Sequence, residues 1–220
     1  MLKRFFEAGG VIAGVILIAF GIGAIVIGVT GRSEVRDNLK QEAIVGTPDM
    51  TPTLIREEAA KAGLKDVSLP TCSVAGKSID TGSEARTFAQ YMRIHTLMAT
   101  GGYSYAQMGR FQAKPDAPKA ELAVGGGTDN PTYAALDPKT QQPISNPARN
   151  IWVTETALTT ALNASYMADQ ISLFGLMVGF TLLISGLGFG ILAVGGALRG
   201  RESLVRLRKP VFHKDPAPTT

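Results

Sequence analysis

The sequence predicts a mainly α membrane protein: two transmembrane helices paired as a hairpin, with a largely helical, loop-rich extracytoplasmic domain between them. Three observations lead there. No charged residue occurs between Glu7 and Arg32 or between Asp169 and Arg199, gaps of 24 and 29 residues. A bilayer core needs about 20 apolar residues of helix, so a freely soluble chain and one core built from all 220 residues are both excluded. The basic residues cluster beside these gaps. The net charge of +4 is therefore not the footprint of a nucleic-acid binder, because the 14 basic and 15 acidic residues of 32–169 nearly cancel. Lys3 and Arg4 precede the first gap, and Arg199, Arg201, Arg206, Arg208 and Lys209 follow the second. By the positive-inside rule, segments 1–7 and 199–220 are cytoplasmic tails and residues 32–169 lie outside.

The first span reads as residues 8–30, Ala8 to Thr30, about 34 Å of helix. Lys3 and Arg4 also suit a signal peptide. The apolar run, however, exceeds the usual length of about 7–15 residues, and no Ala-x-Ala site precedes Arg32. An uncleaved anchor is expected. The domain then occupies residues 31–170. Charged residues 32–46 are helix-compatible up to Gly46-Thr47-Pro48. Thr51 and Pro52 suit the cap and first position of a short helix ending at Gly63. Residues 64–82, with Pro70, Gly76 and Gly82, read as loop. A second helix is expected from Ser83, as cap, to Ala99, before Gly101-Gly102. Its predicted apolar face carries Phe88, Met92, His95 and Ala99, with Tyr91 and Met98 adjacent.

Residues 110–147 hold six prolines and the run Gly125-Gly126-Gly127. So long a stretch without regular elements is commonly functional or disordered. Asn146-Pro147 then looks like a helix start. No Gly or Pro interrupts Ala148–Phe174, so this helix is expected to run on into the second span, residues 171–198. Ile151, Leu158, Leu162 and Tyr166 mark one stripe on it, and Val153, Ala157, Ala161 and Ala164 another.

Both spans carry small residues four apart: Gly10 and Gly14, Ala24 and Gly28, Gly175 and Gly179, Gly186 and Gly190. Small residues let helices approach where no hydrophobic effect drives association. Antiparallel depth pairs Gly175 and Gly179 with Ala24 and Gly28, and Gly186 and Gly190 with Gly10 and Gly14. The same faces are candidates for a partner helix. Neither span carries a charge, which argues against an ion path or proton relay within them.

Chemistry is harder to find. The two histidines, His95 and His213, fall on opposite sides of the membrane, so metal sites built on several histidines are not available within one chain. His95 reads as a packed, hydrogen-bonded side chain, with a ligand or proton shuttle as the alternative. No Gly-x-Ser-x-Gly elbow occurs, and Gly125-Gly126-Gly127 is not followed by Lys-Ser/Thr. Glu57 and Glu58 are adjacent and point to different sides of a helix. Asn163-Ala-Ser165 matches a glycosylation acceptor but lies within a helix close to the membrane. The single cysteine, Cys72, excludes an intramolecular disulfide and reads as a small buried or semi-buried side chain, with pairing to another chain outside the cytoplasm as the alternative. No catalytic, cofactor or metal residue is assigned, and no cofactor is expected. Tyr103, Tyr105, Phe111 and Tyr133 surround the long loop and Trp152 stands on the following helix. They are candidates for core, and Tyr103, Tyr105 and Trp152 also for an outer interface. The tail cluster Arg199, Arg201, Arg206, Arg208 and Lys209 suits anionic lipid headgroups.

Three stretches carry a resemblance: Val45-Gly-Thr-Pro-Asp-Met-Thr-Pro52, Phe88-Ala-Gln-Tyr-Met-Arg-Ile-His95 with Ala99-Thr-Gly-Gly102, and Ala148-Arg-Asn-Ile-Trp-Val-Thr-Glu-Thr-Ala-Leu-Thr-Thr-Ala-Leu162. They resemble an uncharacterised actinobacterial family of two-span membrane proteins, sometimes labelled aromatic ring-opening dioxygenase. The resemblance implies the two-span topology and an actinobacterial plasma membrane, and no catalytic residue is carried over from it. The residues favour an accessory subunit that makes protein–protein contacts, with other membrane subunits or itself, and has no nucleic-acid partner. The alternative is a ligand-binding or sensing module, with a pocket between the Ser83–Ala99 helix and the helix leading into the second span. An enzyme is the third reading.

Overall fold

The structure, a computed structural model, describes residues 2–195; the basic cluster Arg199, Arg201, Arg206, Arg208 and Lys209 lies outside them. Four α-helices make up most of the chain: α1 (Leu2–Gln41), α2 (Pro52–Lys61), α3 (Gly82–Ala99) and α4 (Pro147–Val194). Three short 3-10 turns lie between α3 and α4, and among the described residues no β-strand forms, only isolated bridges. The chain divides into two compact units, one holding α1 up to Ile27 and α4 from Gly175, the other Gly28–Phe174.

Two of these helices, α1 and α4, are long and apolar enough to cross a membrane. Only 11% of the apolar window of α1 and 17% of that of α4 is buried, so neither is the core helix of a soluble fold. Their outward side chains are large and apolar, with Phe20, Ile27, Ile184 and Ile191 each about two-thirds or more exposed. The 48-residue α4 is one helix, as the absence of breakers from Ala148 to Phe174 predicts.

Residues Gly28–Phe174 fold around Met50, Ile55, Val74, Ile79, Phe88, Tyr91 and Ile94, with Leu39 and Leu162 supplied by α1 and α4. Ile55 is fully buried, worth about 1.5–3 kcal/mol for such a side chain. The α2 start follows its sequence signals: the Thr51 side chain accepts from the Leu54 N–H, and Pro52 opens the helix. The α3 start does not follow the expectation. Its cap is Thr81, not Ser83. Thr81 and Glu84 form a reciprocal capping box, which satisfies two otherwise unpaired N–H groups where Ser83 would satisfy one. The buried face of α3 also differs from the expected one: Ala85, Phe88, Ala89, Tyr91 and Ile94 are buried, whereas Ala99 is exposed and Met92 and His95 half-buried.

The α4 stripes shift likewise. Trp152, Glu155, Leu162 and Asp169 are its buried positions in this unit, while Ile151, Val153, Ala157, Ala161 and Ala164 are exposed. Spacing alone left the choice of face open, and Trp152, the largest side chain on this stretch, decides it.

Residues 100–146 are irregular but extensively bonded. Phe111 bridges both Thr128 and Ser145, and Ala113 bridges Ala134. Asn146 ties the knot: its Nδ2 donates to the Gly109 carbonyl at 2.9 Å, and its Oδ1 accepts from Ala148 N–H at 3.1 Å to cap α4. Gly126 and Gly127 take φ of 88° and 75°, a conformation that glycine adopts without strain. Thr128 and Ala134 are fully buried there. Hydrogen bonding thus orders a segment with few aliphatic residues.

Candidate functional site

Within the membrane-compatible unit, glycines set how closely the helices approach. A methyl group added at Gly14 would sit 2.9 Å from the Gly186 carbonyl, and one at Gly21 would sit 2.8 Å from that of Gly179. The reverse holds at Gly179, 2.9 Å from the Gly21 carbonyl, and at Gly186, 2.7 Å from that of Gly14. Gly14 and Gly21 on one helix, and Gly179, Gly186 and Ala193 on the other, are buried at seven-residue spacing, the period of a left-handed helix pair.

The expected pairing is therefore altered. Gly186 and Gly190 do lie against Gly14, but Gly179 lies against Gly21 and Ile25 rather than Ala24 and Gly28. Gly21 has no small residue four positions away and escaped a search for that spacing. Gly28 is buried in the other unit, and Gly10, Ala24, Gly175 and Gly190 are half-buried. Gly9, Gly23 and Gly188 have nothing within 4 Å of an added methyl group.

In the domain, the first charged residues beyond the two apolar stretches meet each other. Arg32 Nε donates to Asp169 Oδ1 at 3.0 Å, and the Asp169 side chain is 9% exposed. An added methyl group at Gly82 would fall 2.6 Å from the Asp169 Cβ, so the start of α3 packs directly beside this pair. Arg86 lies over the Tyr166 ring, 4.6 Å from its centre.

The aromatic candidates separate. Trp152 is buried and its Nε1 donates to the Tyr103 carbonyl at 2.9 Å, with Arg93 stacked 5.2 Å from its ring. It is a packing residue, because little aliphatic volume is available in this part of the chain. Tyr103, Phe111 and Tyr133 are half-buried, and Tyr105 stays exposed beneath Arg149, 4.0 Å from its ring centre. Cys72 is exposed, correcting the buried reading: its carbonyl, not its thiol, faces inward and accepts from the Tyr91 hydroxyl at 2.8 Å. Burial first, then the neighbouring Cys72 and Asp49 side chains, raise the Tyr91 pKa and keep that hydroxyl a donor.

The cluster that sequence reading missed lies where α2 meets α3. Met50 N–H bonds the Thr47 carbonyl and Thr51 N–H the Asp49 carbonyl, so the turn that precedes the α2 cap fixes Asp49. Glu58 follows Ile55 by one turn and flanks the buried Ile55–Ala59 side of α2. His95 follows Tyr91 by one turn on α3 and sits beside buried Ile94. One ligand atom from each of Asp49, Glu58 and His95 lies within 4.8 Å of the others, and all three residues are half-buried. His95 Nε2 is 2.9 Å from Asp49 Oδ2, yet this nitrogen is buried without an aligned hydrogen bond. Burial pushes the Asp49 carboxyl pKa up, but Thr47, the backbone and His95 together outweigh burial and hold it below its ordinary value. Asp49 is nine positions before Glu58 and 46 before His95, a spacing that belongs to no local motif; only the folding of α2 onto α3 brings them together.

Two clefts lie elsewhere in the domain. One of about 240 Å³ is lined by Leu39 of α1, by Glu42 just after it, and by Leu158, Leu162 and Ser165 of α4. The other, of about 260 Å³, lies beside Ile44, Val45, Ser78 and Ile79. No protein-family model, no curated protein and no solved structure matches the chain.

Proposed function

We propose that the chain is an integral membrane accessory or scaffolding subunit of an actinobacterial plasma membrane, without a reaction of its own. Its tails are cytoplasmic and residues 32–169 extracytoplasmic, and it docks on other membrane subunits or on itself. One observation carries this reading. The glycine seam between α1 and α4 accounts for Gly14, Gly21, Gly179 and Gly186 but leaves Gly9, Gly23 and Gly188 facing open space. Glycine within a helix costs about 1 kcal/mol relative to alanine, and a partner helix in close approach offsets that cost. The packing of Gly14 and Gly21 against α4 also supports a retained first span, since cleavage would strip α4 of its neighbour. The cluster Arg199, Arg201, Arg206, Arg208 and Lys209 then meets anionic headgroups on the cytoplasmic face.

The test is mild detergent extraction of the tagged full chain, with mass spectrometry of what stays bound. Wild type is expected in a complex with defined stoichiometry. Gly23→Leu and Gly188→Leu should release the partner while circular dichroism and thermal unfolding remain as in wild type. A wild-type chain that runs as a bare monomer, or variants that keep every partner, would overturn the proposal. The alternative, an extracytoplasmic ligand-binding or sensing module, is favoured by the Asp49–Glu58–His95 cluster alone.

A further inference from the structure

We infer that Asp49, Glu58 and His95 form a binding site for one divalent transition cation, with Zn²⁺ the best match. The inference does not depend on membrane docking, because the three residues lie where α2 meets α3, in the unit that does not hold the paired apolar stretches.

Charge is the first argument. Among the described residues, Asp169 has Arg32 as a basic partner, and Asp129 has Arg110 and Arg149. Asp49 and Glu58 have no Lys or Arg in ion-pair distance; their shared neighbour is one imidazole. Two half-buried carboxylates with only a histidine between them are short of positive charge, and a divalent cation supplies it in full.

Geometry is the second. His95 Nε2 approaches Asp49 Oδ2 to 2.9 Å but not along a ring N–H direction, so the nitrogen is buried without a hydrogen bond. Two ligand atoms at about 2.1 Å from one tetrahedral metal ion stand about 3.4 Å apart. The observed 2.9 Å is shorter by about half an ångström, so the two groups already stand as neighbours and a bound ion would move them only slightly apart. The Glu58 oxygen lies within 4.8 Å of both. Rotation of its side chain, which stands on the half-exposed side of α2, closes the remaining distance.

Ligand chemistry selects the ion. An imidazole nitrogen with two carboxylate oxygens suits Zn²⁺ and its first-row neighbours, whereas Ca²⁺ and Mg²⁺ prefer all-oxygen shells. Three protein ligands leave a tetrahedral ion one position for water or a small anion. The site joins the turn before α2 and Glu58 of α2 to the C-terminal part of α3, so occupancy pins elements that share one core with Ile55, Ala59, Tyr91 and Ile94.

The test uses the full chain in detergent, stripped with chelator, in a His213→Asn background that removes the other imidazole. Zn²⁺ is titrated against a chromophoric chelator, and Co²⁺ is added as a spectroscopic probe. Wild type should bind one equivalent, gain a Co²⁺ visible band, and unfold at a higher temperature with Zn²⁺ than without it. Asp49→Asn, Glu58→Gln and His95→Gln should each bind at least about tenfold more weakly, since loss of even an outer-shell partner costs that much. Glu58→Gln keeps volume and helix propensity, so its circular dichroism should match wild type and its binding loss is not one of folding. Absence of stoichiometric Zn²⁺ binding in wild type, or equal affinity in all variants, would show a plain Asp–His ion pair and overturn the site. Equal binding of Mg²⁺ or Ca²⁺ would overturn the choice of ion.

Discussion

Asp129 shows how a single carboxylate holds the irregular part of the domain together. It accepts from the Arg110 backbone N–H at 3.0 Å and from Arg110 Nε at 3.1 Å, with Arg149 at 4.0 Å. The Arg110 backbone hydrogen bond is the main reason that its pKa falls below the ordinary carboxylate value, and the two guanidinium groups add to it. A depressed folded pKa contributes stability above the unfolded value of about 3.9, and that stability is lost as pH falls through the folded pKa. Asp129 is well exposed, so solvent screening limits the contribution to about 1 kcal/mol or less. Wild type should therefore lose a small increment of thermal stability as pH drops below about 4, and Asp129→Asn should lack that increment at neutral pH and show no step there. Equal pH profiles for the two proteins would contradict this account. Such contacts were not legible in the sequence, because Arg110 and Asp129 meet only when Phe111 bridges Thr128. The Asp49–Glu58–His95 cluster was hidden for the same reason. His95 falls one turn from several apolar residues of α3, so spacing alone placed it on the core stripe, where Ile94 actually sits.

Helices were more legible than their faces. The unbroken lead of α4 into the second apolar stretch followed from the absence of Gly and Pro between Ala148 and Phe174, and the α2 start from Thr51-Pro52. The α3 start was also written in the chain, as Thr81-x-x-Glu84, but Ser83 competed with it; two reciprocal hydrogen bonds outweigh one. For the paired spans the four-residue spacing of small residues was a partial guide, because the seam repeats every seven residues and includes Gly21. The seam makes a sharp contrast testable. A side chain at Gly179 would begin 2.7 Å from Ile25 Cγ1 and 2.9 Å from the Gly21 carbonyl, which is backbone and cannot move aside alone. Overpacking of this kind costs about 1–3 kcal/mol. Gly179→Leu should lower the unfolding temperature and abolish crosslinking between cysteines placed on facing positions of α1 and α4. Gly188→Leu, with open space around it, should leave both unchanged. Retained crosslinking in Gly179→Leu would show that the seam does not hold the spans together.

For the chain as a whole, charge placement argues for one topology. Lys3 and Arg4 stand before the first apolar stretch and the Arg199–Lys209 cluster after the second, while residues 32–169 are nearly neutral. Under the proposed topology both termini of this sequence face the cytoplasm and the domain faces out. Cys72 makes the test direct, because it is the only cysteine and it is exposed. A membrane-impermeant maleimide added to intact spheroplasts, after mild reduction to free the thiol, should label wild type and leave Cys72→Ser unlabelled. A cysteine introduced at Thr219 in the Cys72→Ser background should react only after the membrane is opened. The reverse pattern, with Cys72 silent until permeabilisation and position 219 reactive beforehand, would invert the topology and move the lipid contact of the basic cluster to the outer face.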